Sequence, residues 1–298
     1  MSHPLISDML REYSCSNEQQ AVNALREIMQ NVALLALSRQ DFFSRAAFYG
    51  GTALRILYGL NRGSEDMDFT LLSPDAKFDL SDYAGGLEST FASFGLNVAF
   101  SRKFKVARSD VQSGFLKSNT KVQLLSIGLD AALAQKVHSG REMKIKIEID
   151  VQPPSGIGTE IKYLYRPQPF AVRSCTLPDL LAGKLHAVLF RAWKTRVKGR
   201  DWYDLAWYAG SHPEYNLRHL ENRSRQSGDY VDKKPLTDEL VHAMLEEKLR
   251  QIDLDAVRAD VSPFLRDQHE LDVWSLDFFR DAFQRLHATA EEPSFHTF

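Results

Sequence analysis

Residues 48–72, FYGGTALRILYGLNRGSEDMDFTLL, hold the side chains best placed for chemistry. Asp66 and Asp68 stand two apart in an alternating run with Met67 and Phe69. On a strand successive side chains point to opposite faces, so the two carboxylates project together. Like charges that close repel unless a cation neutralises them, and a divalent ion is the usual agent. Upstream, Gly50-Gly51-Thr52 forms a turn whose backbone N–H groups can approach phosphate oxygens, and the start of the following helix adds positive potential. These residues point to phosphoryl or nucleotidyl transfer, which depends on positioning and charge neutralisation more than on a protein nucleophile. Paired Mg²⁺ ions in such a site activate an attacking hydroxyl and stabilise a leaving pyrophosphate.

The elements that must position this stretch follow from periodicity. Residues 5–14 and 17–40 read as helices, the second with Val22, Leu25, Ile28, Met29, Val32, Leu35 and Ala36 on one stripe. Asn17 caps it, with Gln20 completing a capping box, and this helix is expected to pack without chemistry. Leu54, Leu57 and Tyr58 mark a short helix after the glycine turn. A helix over about 80–94 ends at Gly95. Strands are expected at 96–105, 121–130 and 143–151, with an exposed polar loop, RSDVQSGFLKSNT, between the first two. The 143–151 run alternates cleanly, so Glu148 and Asp150 share its polar face and either can supply a third carboxylate. An exposed charged face on an antiparallel strand accounts for the same pattern.

Residues 152–175 are rich in Pro and Gly and read as a connection, with a short strand at 160–165. Thr176-Leu177-Pro178-Asp179 then starts a helix, with Thr176 as cap and Pro178 in the first turn. Lys184 stands among its leucines, where snorkelling is the plain alternative to a role in chemistry. The basic residues Arg191, Lys194, Arg196, Lys198 and Arg200 lead into Asp201-Trp202-Tyr203-Asp204-Leu205. Asp201 and Asp204 are expected to face apart, leaving Asp204 structural. Beyond them the pattern is helical, with stripes at Leu240, Met244, Leu245 and Leu249 and at Leu276, Phe279, Phe283 and Leu286. The last ten residues are expected to fray. The sequence thus divides into an α+β domain over 1–170 and an all-helical domain over 171–298 that contributes Lys184 and Asp201 to the site.

Bulk composition narrows the function classes. With 298 residues, 44% hydrophobic and 26% charged, the chain is an ordinary globular protein. No apolar run reaches the length of a membrane span and the N-terminus has no signal-peptide core, so a cytoplasmic location without membrane partners is expected. A net charge of −2 argues against indiscriminate nucleic-acid binding but leaves room for a local basic groove at 191–200. Cys15 and Cys175 lie far apart and read as free thiols. His138, His186, His212, His219 and His242 match no zinc spacing. Trp193, Trp202 and Trp207 are suited to stacking on bases but are expected to pack the domain junction.

Four segments in order carry a family resemblance. GGTALRILYGLNRGSEDMDF resembles the first motif of the AbiEii/MenT-like nucleotidyltransferase toxins of bacterial abortive infection. IKIEID resembles their third-carboxylate strand, LLAGKLHAVL their lysine helix and KGRDWYDL their closing motif. The resemblance implies a polymerase-β-like nucleotidyltransferase core with a mixed or antiparallel sheet, followed by an all-helical C-terminal domain. It implies use of a nucleoside triphosphate with Mg²⁺ or Mn²⁺, tRNA as acceptor, and a cognate antitoxin. By position, Asp66, Asp68, Lys184 and Asp201 are the implied catalytic residues. Metal falls to Asp66, Asp68 and Asp150 (or Glu148), and the triphosphate to Gly50, Gly51, Thr52, Arg62, Ser64 and Lys184. Arg191, Lys194, Arg196, Lys198 and Arg200 are the implied RNA contacts. Ser64, beside the metal pair, is also a candidate for control by phosphorylation, because added negative charge would compete with the triphosphate. Finding active enzyme fully phosphorylated at Ser64 would sink that idea. Two rivals stand beside this reading: transfer to a small molecule or protein side chain, and a silent NTP- or partner-binding protein. The intact Asp66/Asp68/Lys184/Asp201 set argues against the latter.

Overall fold

The computed structural model describes residues 3–103, 110–191 and 198–290. Two units emerge: Met1–Gly59 with Gly63–Pro153 and Thr159–Ser174, and Leu60–Arg62 with Pro154–Gly158 and Cys175–Phe298. Two short stretches of the second unit, Leu60–Arg62 and Pro154–Gly158, therefore interrupt the first before the long C-terminal run.

The first unit opens with helix α1 (Pro4–Arg11) and the long α2 (Glu18–Ser38). Asn17 caps α2 by accepting from the Gln20 amide, while the Gln20 side chain reaches back to Ser16 rather than to Asn17. Strand β1 (Ala46–Tyr49) runs straight into α3 (Gly50–Tyr58), and β2 (Met67–Leu71) returns beside it. A 3₁₀ turn at Leu80–Tyr83 leads into α4 (Ala84–Ser93). Then come β3 (Ala99–Lys103), β4 (Val111–Asn119), α5 (Thr120–Ser126), α6 (Ala131–Gln135), β5 (Glu142–Asp150), β6 (Thr159–Leu164) and β7 (Phe170–Cys175). The seven strands form one mixed sheet in the order β3-β4-β5-β2-β1-β7-β6.

Alternation decides which face is buried. Met67, Phe69 and Leu71 of β2, Ile145, Ile147 and Ile149 of β5 and Phe48 of β1 form one core with the apolar residues of α2 and α4. The opposite face carries Asp68, Glu148 and Tyr49. A one-residue slip would exchange the two sets, so burial fixes the register. Pairing of β2 with β5 is parallel, with Asp68 opposite Glu148 and Thr70 opposite Asp150. Pairing of β1 with β2 is antiparallel, with Tyr49 opposite Asp68.

Three expectations from the sequence fail here. Residues 121–130 are not a strand: Asn119 caps α5 by accepting from the Val122 amide, and Gln123 and Leu124 are buried on its inner side. The expected loop RSDVQSGFLKSNT instead contains β4, paired on both sides by β3 and β5. Its mixed composition is tolerated because strand preference follows the neighbours more than the residue. The connection 152–175 contains β7 as well as β6, and Phe48 pairs in parallel with Ser174. The strand expected at 96–105 is Ala99–Lys103, with Phe104 and Lys105 outside the described residues.

The second unit is built on α7 (Leu177–Phe190) and α8 (Gly199–Ser211), followed by β8 (Glu214–Tyr215), α9 (Leu217–Gln226), α10 (Asp238–Gln251), α11 (Leu254–Val261), α12 (Leu276–Arg285) and β9 (His287–Ala288). Gly199 lets α8 approach α11 closely, since a Cβ there would lie 2.0 Å from the Val257 carbonyl oxygen. Trp202 packs against Phe279 and Phe283 of α12. It therefore belongs to this unit's own core; Trp193 lies outside the described residues. The buried stripe of α10 is Val241, Leu245 and Leu249, with Leu240 turned outward. No helix among the described residues is long and apolar enough to cross a membrane.

Candidate active-site residues

In the first unit the glycine turn and the aspartate strand are built against each other. Gly50 has φ +82°, a conformation costly for any residue with a Cβ, and a Cβ there would lie 2.6 Å from Asp68 Oδ2. The Asp68 carboxylate thus rests at the first turn of α3, where the helix dipole favours negative charge. Thr52 is fully buried. Its hydroxyl donates to the Asp66 carbonyl and is hydrogen-bonded to the Ser64 hydroxyl at 2.8 Å. Thr52 therefore pins the chain entering β2, which is a different task from touching a phosphate directly.

Gln30 adds to this clamp. Buried on α2, it donates from Nε2 to the Ser64 carbonyl at 3.2 Å and the Glu65 carbonyl at 3.1 Å. Sequence periodicity assigned α2 to packing alone and missed Gln30. The available signal was the polar pair Gln30-Asn31 between Met29 and Val32 in an otherwise apolar stretch.

Asp68 lies on β2 and Asp66 just before that strand begins; joined by substrate phosphate oxygens, two such carboxylates form a donor set that suits Mg²⁺, which keeps several of its waters. The close Gly50–Asp68 approach leaves a backbone amide turn beside them, so the residues present fit such an ion. Glu148 sits level with Asp68. It is held by Lys146 at 2.7 Å and by the Ser113 hydroxyl at 3.0 Å. Asp150 lies further along the strand and accepts from the Gln152 amide. No cluster of three or more His, Cys, Asp or Glu side chains at metal-binding spacing occurs among the described residues.

The second unit contains a buried four-ion cluster. Lys184 of α7 places Nζ 3.0 Å from Asp201 Oδ1 and 2.7 Å from Asp204 Oδ2. Arg62 forks onto Asp204, Nε to Oδ1 at 2.7 Å and a terminal nitrogen to Oδ2 at 2.6 Å. Arg62, Asp201 and Asp204 are 3%, 6% and 0% exposed. The expected divergence of Asp201 and Asp204 is overturned: residues three apart on a helix are neighbours on one face, and both meet Lys184. Burial opposes charge on Lys184 and Arg62, but the two aspartates outweigh it and hold both pKa values above their ordinary range. For Asp201, burial opposes charge as well, and Lys184 and Arg191 overcome it to keep the carboxyl ionised below its ordinary value. Asp201 Oδ2 is buried and has no hydrogen-bond partner among the described residues. An anionic oxygen left open beside a lysine ammonium can accept a proton or orient a donor.

Of the remaining expected contacts, Arg191, Lys198 and Arg200 are described and lie close enough to influence one another. Arg191 is exposed, and the Arg200 guanidinium lies over the Phe264 ring, 4.2 Å from its centroid. Burial, reinforced by Arg191, lowers the Lys198 pKa. Lys194 and Arg196 lie outside the described residues.

Comparison with known proteins gives a family and a fold. The family model described as nucleotidyl transferase AbiEii toxin, type IV toxin–antitoxin system, matches residues 32–285. No curated protein matches the chain. Among solved structures, MenT4, a nucleotidyltransferase toxin of Mycobacterium tuberculosis, is 17% identical with a TM-score of 0.57, over 96% of this chain and 88% of that one. JHP933 of Helicobacter pylori is 18% identical with a TM-score of 0.49, over 90% and 92% of the two chains. A Helicobacter pylori protein described as a nucleotidyltransferase is 17% identical with a TM-score of 0.48, over 87% and 91%. At these identities the likeness to MenT4 is one of fold.

Proposed function

Because the chain belongs to the AbiEii nucleotidyl transferase toxin family of type IV toxin–antitoxin systems, we propose that it transfers a nucleoside monophosphate from an NTP to the 3′ end of an RNA, with tRNA as the acceptor. Loss of a free tRNA 3′ end would block translation in the cytoplasm, and an antitoxin would counter it. The observation that carries this reading is the contact of the Gly50 turn with the Asp68 carboxylate, which joins a phosphate-binding turn to an acidic strand within one unit.

In this reading Asp66 and Asp68 hold Mg²⁺, which when bound would neutralise charge on the phosphates. The register favours Glu148 over Asp150 as the third carboxylate, because Glu148 lies opposite Asp68. Amides of Gly50 and Gly51 face the phosphates, and Thr52, Ser64 and Gln30 keep the aspartate strand in place. Lys184 pairs with the triphosphate by exchanging one carboxylate for a phosphate oxygen, and Asp201 receives or orients the proton of the attacking hydroxyl. Arg62 acts on this cluster through Asp204 and not on the triphosphate. Arg191, Lys198 and Arg200, with Lys194 and Arg196 of the same basic run, meet the RNA backbone.

The test is incubation of the pure protein with Mg²⁺, each α-phosphate-labelled NTP in turn, and total bacterial RNA or lysate. Label on the 3′ end of tRNA, lost in Asp66→Ala, supports the proposal. Label on protein or a small molecule instead would redirect it to another acceptor. No transfer, together with unaffected growth on expression, would favour a silent NTP- or partner-binding protein.

A further inference from the structure

Strand β6 lies at one end of the sheet, with β7 on one side and no strand on the other among the described residues. Its inner row is accounted for: Glu160 accepts from the Tyr58 hydroxyl at 2.7 Å, Lys162 lies over the Tyr58 ring, and Leu164 packs against the core. Ile161 and Tyr163 form the outer row and Tyr165, just past the strand's end, continues its alternation; they are 44%, 68% and 72% exposed. Three large apolar side chains at alternating positions along a free strand edge and its immediate continuation are unusual, because such an edge is a template for pairing with another chain. Proteins ordinarily blunt these edges with proline, a bulge or an inward charge; Thr159–Leu164 has neither proline nor glycine, and its two inward charges, Glu160 and Lys162, neutralise each other.

From this edge we infer that β6 pairs antiparallel with β6 of a second copy of this chain, about a two-fold axis through Tyr163, so that two sheets become one. A two-fold axis perpendicular to the sheet keeps each face continuous, so only residues of the same row can lie opposite one another. Centring the axis on Lys162 would set two ammonium groups face to face, and centring it on Leu164 would oppose Lys162 to the partner's Arg166. Centring on Ile161 leaves Tyr165 outside the pairing. With the axis on Tyr163, the tyrosine meets its own copy, Ile161 meets the partner's Tyr165, and Glu160 meets the partner's Arg166. Lys162 lies opposite the partner's Leu164 and can cover it with its aliphatic stem. All three exposed apolar residues are then used, and no like charges meet.

The neutral balance of this strand favours a protein partner over RNA. Glu160 offsets Lys162 at 2.9 Å, and Arg166 is paired with Glu12, so there is no excess of positive charge to attract phosphates.

Sedimentation of the full chain over a concentration series tests the proposal. A mass rising from 33.9 kDa to about twice that value is expected, while Tyr163→Glu, which puts two carboxylates across the axis, stays monomeric with an unchanged melting temperature. In a Cys15→Ser background, Tyr163→Cys is expected to form a disulfide-linked dimer on mild oxidation and Ile161→Cys is not. The remaining native thiol, Cys175, is buried with its pKa pushed up to about 12, and so does not compete. A monomer at every concentration, a dimer that survives Tyr163→Glu, or preferential cross-linking through Ile161→Cys would each overturn it. So would a Tyr163→Glu protein of unchanged mass that loses retention of labelled single-stranded RNA, since that outcome would make the face a stacking platform.

Discussion

Arg62 and Asp204, far apart in sequence, meet in a buried two-pronged ion pair at 2.7 and 2.6 Å. Breaking such a pair from one side leaves a charge buried without compensation, at a cost of about 3–5 kcal/mol. Arg62→Ala is therefore expected to lower stability by about that amount, and Arg62→Lys by less, since it keeps the charge but loses the fork. Urea unfolding measures both. Adding Asp204→Ala to Arg62→Ala should cost less than the sum of the two single changes, and strict additivity would show that the pair is not coupled.

Gly50→Ala is expected to lose activity and stability together. The new methyl must adopt positive φ, costing about 1 kcal/mol, and its Cβ would sit 2.6 Å from Asp68 Oδ2. Displacing that carboxylate should reduce nucleotide transfer at least tenfold, whereas Gly59→Ala, also at positive φ but with open space around it, should cost stability alone. Equal activity in the two variants would remove Gly50 from the site.

Asp66→Ala and Asp68→Asn should each abolish transfer by more than about 100-fold, because even groups that only support a metal ligand cost 10–100-fold when removed. Titrating Mg²⁺ against each variant by calorimetry in the presence of a non-hydrolysable NTP checks the cause. Unchanged Mg²⁺ affinity would assign the loss to something other than the ion.

Gln30→Leu separates positioning from packing. Leucine fills similar space but cannot hold the Ser64 and Glu65 carbonyls, so two half-buried acceptors lose a donor, at up to about 1–3 kcal/mol. A fall in kcat with a near-normal KM for NTP is expected, with Gln30→Glu, which cannot donate from an ionised carboxylate, behaving alike. A variant with full activity would return α2 to packing alone.

Acid should loosen the helical unit before it affects carboxylates. Burial lowers the His219 pKa to about 3, with help from Arg223, and the His186 pKa to about 4. Both rings are neutral in the folded protein where the unfolded chain already binds protons. Their contribution is complete above the unfolded value near 6.5 and is lost as pH falls toward the folded values. For His219 the slope is about 1.4 kcal/mol per pH unit at most. His219→Leu should flatten the dependence of stability on pH between 6.5 and 4, and an unchanged slope would contradict this assignment.

By itself the sequence determined what local pattern can carry. Alternation in 143–151 predicts a strand with isoleucines on one face, Asn17 and the apolar stripe after it predict α2, and four ordered segments identify the family. Glycines, carboxylates and a lysine helix were legible because each is defined within a few residues. Tertiary structure decided the rest. SGFLKSN becomes a strand only because β3 and β5 flank it, and FAVRSC joins the sheet only because β1 lies beside it. Nothing near Arg62 in sequence announces Asp204, and nothing near Gln30 announces the Ser64 and Glu65 carbonyls. Such partners meet when distant segments bury polar groups together, since a buried charge or carbonyl must find its counterpart wherever the fold supplies one.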